Sequence, residues 1–271
     1  MVYQSVSFFL LLIVMGCLSG FLNGFFGIGG GLIIVPMFYK ILTVYDKVDD
    51  SMRMHIAVGT SLAIIIMTSL RSFIGHYHRK TVDMRLLRNW VTAVPVGSIT
   101  ASMLSVYVNA QILREIFSVV SFCIALFILL NNNRWRLGTE LPKNPWTWIL
   151  GVIIGVFSGL IGIGGAIFNN IFMVLYGRSI YQAIATSTGV SLLVSIPGAL
   201  GYIYAGWGVS GLPVMSLGFI NWGAALIVMP IAVLIAPVGI KVAYDIGKRK
   251  LEIGFSIFLF VISCWLFFFE G

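Results

Sequence analysis

The sequence predicts an all-α polytopic membrane protein made of two inverted repeats of about five segments each, with glycine-broken hairpin helices near the midplane. Three observations carry this: long charge-free stretches, a duplicated set of landmarks, and basic residues concentrated on one side. The 271 residues are 59% hydrophobic and 10% charged, whereas a soluble domain carries roughly 25% charged residues. No Asp, Glu, Lys or Arg occurs in residues 1–39, 54–70, 89–113, 116–133, 144–177, 179–240 or 253–269. About 20 apolar residues cross a bilayer core, so seven such stretches require several spans. A soluble enzyme, a nucleic-acid-binding domain and a single-anchor receptor are excluded.

The first apolar run has no basic residue before it and no small-residue cleavage site, so it reads as a first span rather than a signal peptide. It leads into GFLNGFFGIGGG at 20–31, which aligns with GVFSGLIGIGGA at 155–166. Gly20, Gly24, Gly27, Gly29 and Gly30 thereby meet Gly155, Gly159, Gly162, Gly164 and Gly165. Downstream, AVGTS at 57–61 faces AIATS at 183–187. Asn89-Trp90 then faces Asn221-Trp222, Val94-Pro95-Val96 faces Met229-Pro230-Ile231, and Phe117-Ser118 faces Phe255-Ser256. Five landmarks in one order, at offsets between 126 and 138, mark an internal duplication. Residues 1–135 form the first membrane repeat and 136–271 the second.

The basic residues decide how the halves are oriented. With each glycine motif inside one continuous span, alternate loops carry 9 and 8 of the 17 basic residues. With a turn at each motif the split becomes 4 and 13, which the positive-inside rule prefers. An odd number of segments per half then inverts one half relative to the other, as in many secondary transporters. The short segments Leu32–Leu42 and Ile167–Tyr176 become hairpin helices; the alternative is one kinked helix at each motif. This reading describes a multi-pass membrane protein, with loops 71–88, 131–145 and 237–250 cytoplasmic and both termini outside. The net charge of +8 is therefore a topology signal, not a nucleic-acid footprint. Cys17, Cys123 and Cys264 lie in apolar stretches without paired spacing and read as small core residues, not a disulfide framework or metal site.

Candidate binding residues follow from the breaks. Broken backbone survives in hydrocarbon only where protein or a water-filled cavity satisfies it. Gly27, Gly29, Gly30 and Gly31, and Gly162, Gly164 and Gly165, therefore suggest helix breaks with free N–H groups at the next helix start. Such an end attracts an anion through orphan donors and the helix dipole; close helix packing through small residues is the bland alternative. Thr60, Ser61, Thr186 and Ser187 offer hydroxyls near the start of the following span, unless they bond back to their own helix. Asn23, Asn169 and Asn170 are polar groups in apolar runs, where such residues are functional or packed inward. His55 opens a span as a solvated helix-start histidine or a vestibule group, and Arg71 snorkels or attracts an anion into a vestibule. His76-Tyr77-His78 lacks a third ligand and reads as a basic loop. None of the nine acids sits mid-stretch, which disfavours a cation transporter and leaves no coupling carboxylate. No nucleotide-binding or nucleophile-elbow motif is present, so ATP-driven transport within the chain is excluded.

These residues resemble the TauE/SafE family of membrane permeases, the sulfite exporter family. GFLNGFFGIGGGLIIVP at 20–36, its echo GLIGIGG at 159–165, AVGTSL at 57–62 and Val82-Asp83 carry the resemblance, which covers essentially the whole chain. It implies transport of small sulfur-containing anions such as sulfite, sulfoacetate or related organosulfonates. The second motif departs from the pattern: Ala166 stands for Gly31, no proline matches Pro36, and Asn169-Asn170 intervene. The expected mechanism places the anion between the two GIGG hairpins, on main-chain N–H groups and the Thr-Ser hydroxyls, with alternating access by rocking of one repeat. An anion channel and an importer of another small sulfur compound remain alternatives, while an intramembrane enzyme lacks a catalytic set. The expected partners are a small anionic substrate and the lipid bilayer, with no nucleic acid, metal or cofactor; a homo-oligomer is left open.

Overall fold

Each apolar stretch folds as helix because a membrane-embedded backbone must satisfy its own hydrogen bonds. The computed structural model describes residues 2–27, 29–46, 48–130, 137–138, 140–142, 144–245 and parts of 253–265. In chain order these form α1 (Val2–Phe26), α2 (Gly31–Ile41) running into a π-helical turn at Leu42–Asp46, α3 (Asp50–His78), α4 (Met84–Ser105) and α5 (Ala110–Leu130). Then follow α6 (Trp146–Ile161), α7 (Ala166–Leu175), α8 (Ile180–Ala205), a two-residue hairpin of β1 (Ser216–Leu217) and β2 (Ile220–Asn221), and α9 (Trp222–Asp245). Helices α1, α3, α5, α8 and α9 are long and apolar enough to cross a membrane. The protein is an all-α multi-pass membrane protein.

Helix lengths separate crossing from hairpin segments. At 1.5 Å per residue, α2 with 11 residues and α7 with 10 reach only about 16 Å, half a bilayer. Both begin at a glycine break, as the sequence predicts. Helix α4 has 22 residues but carries Arg85 and Arg88 in its first turns. The starts of α3, α4, α8 and α9 are set by side-chain caps. Asp49 accepts from Ser51 N at 2.9 Å, and the hydrogen bonds from Ser51 hold its carboxyl below the usual carboxylate range. Asp83 Oδ1 accepts from the amides of Arg85 and Leu86, Ser179 Oγ from Gln182 N, and Asn221 Oδ1 from Ala224 N.

The most apolar windows of α3 and α8 are each 72% buried, against 39–44% for α1, α5 and α9, so α3 and α8 form the centre. Around them the partners exchange in pairs: α1 lies along α9 and α4 along α6, while α2 packs on α3 and α7 on α8. Both outer pairs touch backbone to backbone. A Cβ on Gly20 would stand 2.6 Å from Ala232 Cα, and one on Gly155 3.0 Å from Gly97 Cα. Small residues give this approach because helices in lipid gain attraction from close contact rather than from hydrophobic exclusion.

Several expectations change. His76-Tyr77-His78 ends α3 rather than forming a loop, and His76 is buried. Cys123 is exposed, and Cys17 and Cys264 are half-buried, so none is a core residue; Cys123 faces an apolar groove with Phe157, Phe168 and Ile171. Arg114 belongs to α5 rather than a loop and is buried, its Nη1 donating to Tyr39 Oη at 3.2 Å. The fourth segments take a different register: the capping residues are Asp83 and Asn221, so Asn89-Trp90 does not match Asn221-Trp222. The expected loops are shorter: residues 71–78 close α3, 84–88 open α4 and 237–245 continue α9, while Phe255, 131–136 and 246–250 lie outside the described residues.

Candidate functional site at the two glycine tips

The two breaks have nearly the same backbone. Gly27, Gly29 and Gly30 have φ of 66°, 74° and 78°; Gly162, Gly164 and Gly165 have 74°, 76° and 80°. An L-residue pays about 1–2 kcal/mol for this left-handed region, which explains three glycines at matching places in each tip. Gly30 and Gly165 are the N-caps of α2 and α7, and no side chain caps either helix. The amides of Gly30, Gly164 and Gly165 donate to no other described residue. Each tip thus presents unused N–H donors at the positive end of a helix dipole.

The tips also meet. A Cβ on Gly31 would collide with the carbonyl oxygen of Gly162 and stand 2.8 Å from Ile163 Cα; one on Gly29 would lie 3.3 Å from Ile163 O. Ile65 of α3 wedges between them, its Cγ2 lying 3.2 Å from the Cβ position of Gly29 and 3.0 Å from that of Gly164. The structure therefore brings the glycines of both motifs into one buried place.

The polar residues nominated from sequence surround this place, each with a hydrogen-bonding task. Asn23 Oδ1 accepts from Gly29 N at 2.8 Å, and its Nδ2 donates to Ser72 Oγ at 3.3 Å. Ser61 Oγ donates to Gly162 O at 2.9 Å. Thr60 Oγ1 accepts from Asn221 N and Thr186 Oγ1 from Asp83 N, both at 2.9 Å, so matching threonines receive matching cap amides from the other half. Ser187 Oγ accepts from Asn169 Nδ2 at 2.7 Å and lies 2.6 Å from Asn170 Oδ1 and 3.0 Å from Ala166 O. Asn170 Nδ2 donates to Phe26 O at 3.1 Å, across to the end of α1. These side chains hold the tips in position.

The two vestibule candidates lie elsewhere. His55 is buried, not solvated as expected: Nε2 stands 2.9 Å from Ser105 O and 3.0 Å from Val108 O, so it carries a proton and caps the end of α4. Unsatisfied carbonyls at a helix C-terminus account for that position. Arg71 is on the exposed face of α3, beside the inward-facing Ser72.

Sequence reasoning missed four serines. Ser69, Ser158, Ser191 and Ser195 are completely buried, and their hydroxyls have no partner. Ser191 Oγ is 3.4 Å from the Cβ position of Gly164, and Ser158 Oγ is 3.4 Å from that of Gly165. The signal was present in the repeat, where Ser158 replaces Asn23 and Ser191 replaces Ile65. No described Asp or Glu is buried; the buried ionisable groups among described residues are His55, His76 and Arg114. No group of three His, Cys, Asp or Glu comes together among them.

The family described as sulfite exporter TauE/SafE matches residues 12–266. A "Probable membrane transporter protein" of Haemophilus influenzae is 30% identical over 261 residues, covering 96% of this chain and 98% of the relative. A protein of the same description from Methanocaldococcus jannaschii is 28% identical and covers 94% of each chain, and one from Bacillus subtilis is 26% identical over 97% and 98%. No solved structure matches the chain.

Proposed function

The chain belongs to the sulfite exporter TauE/SafE family, and on that premise we propose that it carries a small sulfur-containing anion across the membrane by alternating access. Family and relatives make it a membrane transporter rather than an enzyme. The observation that supports an anion is the meeting of two helix N-termini, α2 and α7, at tips where the amides of Gly30, Gly164 and Gly165 are unused. Orphan N–H groups and the dipole ends favour negative charge there, and no described carboxylate is buried to oppose it. Sulfite, sulfoacetate, a related organosulfonate or a thio-oxyanion fits that chemistry.

The pairwise exchange of packing partners supports two inverted repeats that rock about the tips. The 13 basic residues on one side of the turn-based topology support a cytoplasmic placement of loops 71–88, 131–145 and 237–250, in the inner membrane, with termini outside. Radiolabelled sulfite flux into proteoliposomes tests the reading. A carrier gives saturable uptake accelerated by sulfite on the far side. Flux that rises linearly without such acceleration replaces the carrier with a channel, and no flux of any sulfur anion removes the substrate assignment.

A further inference from the structure

The tips share a backbone but not their surroundings. In the first half the Gly29 amide is already occupied by Asn23 Oδ1 at 2.8 Å. In the second half Ser158 stands at the matching place, and the Gly164 amide has no partner among the described residues. Ser158 Oγ and Ser191 Oγ, each 3.4 Å from the Cβ position of a tip glycine, are also unpartnered and fully buried. Helical serines and threonines ordinarily return the hydroxyl to a carbonyl of their own helix. Thr68, Ser105, Ser118 and Thr188 do so here. Ser158 and Ser191 leave that option unused, and a buried donor without an acceptor is costly unless a ligand supplies one.

We propose that a single small oxyanion binds at the N-terminus of α7, held by the amides of Gly164 and Gly165 and the hydroxyls of Ser158 and Ser191. One of its oxygens takes the role on Gly164 that Asn23 Oδ1 plays on Gly29. In the first tip the Asn23 carboxamide fills the Gly29 amide and leaves only that of Gly30, without a free hydroxyl pair beside it, so that tip takes no ligand. This rests on the reading that the tips bind an anion, and assigns the site to one of them. The donor set is neutral. Arg114, the buried arginine among the described residues, is bonded to Tyr39 near the far end of α2, and no buried carboxylate is described. A second charged group, such as the ammonium of taurine or the carboxylate of sulfoacetate, would be desolvated without a partner. The site therefore selects a compact ligand with one anionic head.

The test is titration of purified protein with sulfite, thiosulfate, taurine and sulfoacetate by calorimetry. Ser158→Asn copies into the second tip the plug that the first tip carries. We expect it to weaken sulfite or thiosulfate binding at least tenfold, and Ser191→Ala several-fold, while taurine and sulfoacetate bind wild type at least tenfold more weakly than the better inorganic anion. Ser118→Ala, in α5, should bind as wild type. Wild-type affinity in both Ser158→Asn and Ser191→Ala would overturn the assignment while leaving an anion transporter standing. No binding of any of the four by wild type would sink both. If Ser158→Asn does not fold, Ser191→Ala decides alone, and unchanged affinity there overturns the proposal.

Discussion

Gly31→Ala tests whether the two tips are in contact. Gly31 is the first residue of α2 and its φ is not left-handed, so the added methyl brings no backbone strain. It would stand 2.8 Å from Ile163 Cα, where ordinary contact begins at 3.4 Å, and closer still to the Gly162 carbonyl oxygen. The tips must separate by at least about 0.6 Å to admit it, and the obstacle is backbone, which cannot rotate aside. Overpacking of this kind costs about 1–3 kcal/mol. Replacing glycine in a helix returns up to about 1 kcal/mol, so a net loss identifies the clash. For a chain of this size each kcal/mol moves the midpoint by about 2–4 °C. The expected fall is roughly 5 °C in detergent-solubilised protein, with flux in proteoliposomes reduced at least tenfold. The control is built into the second half, where Ala166 already carries the methyl. Ala166→Gly should cost no more than about 1 kcal/mol, by helix propensity. A Gly31→Ala protein as stable and as active as wild type would refute the contact.

Gly29→Val and Gly164→Val should each abolish flux while leaving the protein in the membrane fraction, since a branched side chain meets both left-handed φ and Ile65. Normal transport by both would reduce these glycines to packing residues. Thr60→Val and Thr186→Val each strip a cap amide of its acceptor, the buried one of Asn221 and the part-buried one of Asp83. Each should cost about 1–3 kcal/mol, and Thr→Ser at either place should restore most of it; thermal melts decide. In a cysteine-free background, a cysteine at exposed Val214 should react with an impermeant maleimide in intact cells, and one at exposed Arg79 only after permeabilisation. The reverse pattern would invert the topology.

The breaks were legible because only glycine enters the left-handed region without strain; GIGG in both halves therefore announced the tips and the shortness of α2 and α7. The helical class was legible from charge-free stretches for a similar reason, that lipid leaves the backbone few choices. What the residues at 60 and 186 do was not legible. Thr60 meets an amide 161 residues away and Thr186 one 103 residues away, and no local pattern encodes such a meeting. His55 looked solvated because it opens a span, yet the end of α4 folds over it and its Nε2 meets two carbonyls there. The register of the fourth segments was misread because Asn-Trp recurs as a dipeptide, while the matching geometry belongs to the capping positions Asp83 and Asn221.

Repetition itself carried a second message that a search for matches overlooks. Positions identical in both halves, the tip glycines, Thr60 with Thr186 and Ser61 with Ser187, shape a turn or already have hydrogen-bond partners. Beside the tip glycines the unused hydroxyls lie instead where the halves differ, at Ser158 against Asn23 and Ser191 against Ile65, whereas the matched serines Ser69 and Ser195 are unpartnered in both halves. There is a physical reason for this division. Two equivalent tips meeting at one place offer a small ligand two equivalent half-sites, and a ligand too small to span both must be given one of them. A carboxamide at Asn23 occupies the Gly29 amide of one tip, and an isoleucine at Ile65 divides it from the other. On the proposal that one anion binds at the second tip, the shared residues shape both turns and the unshared ones choose between them.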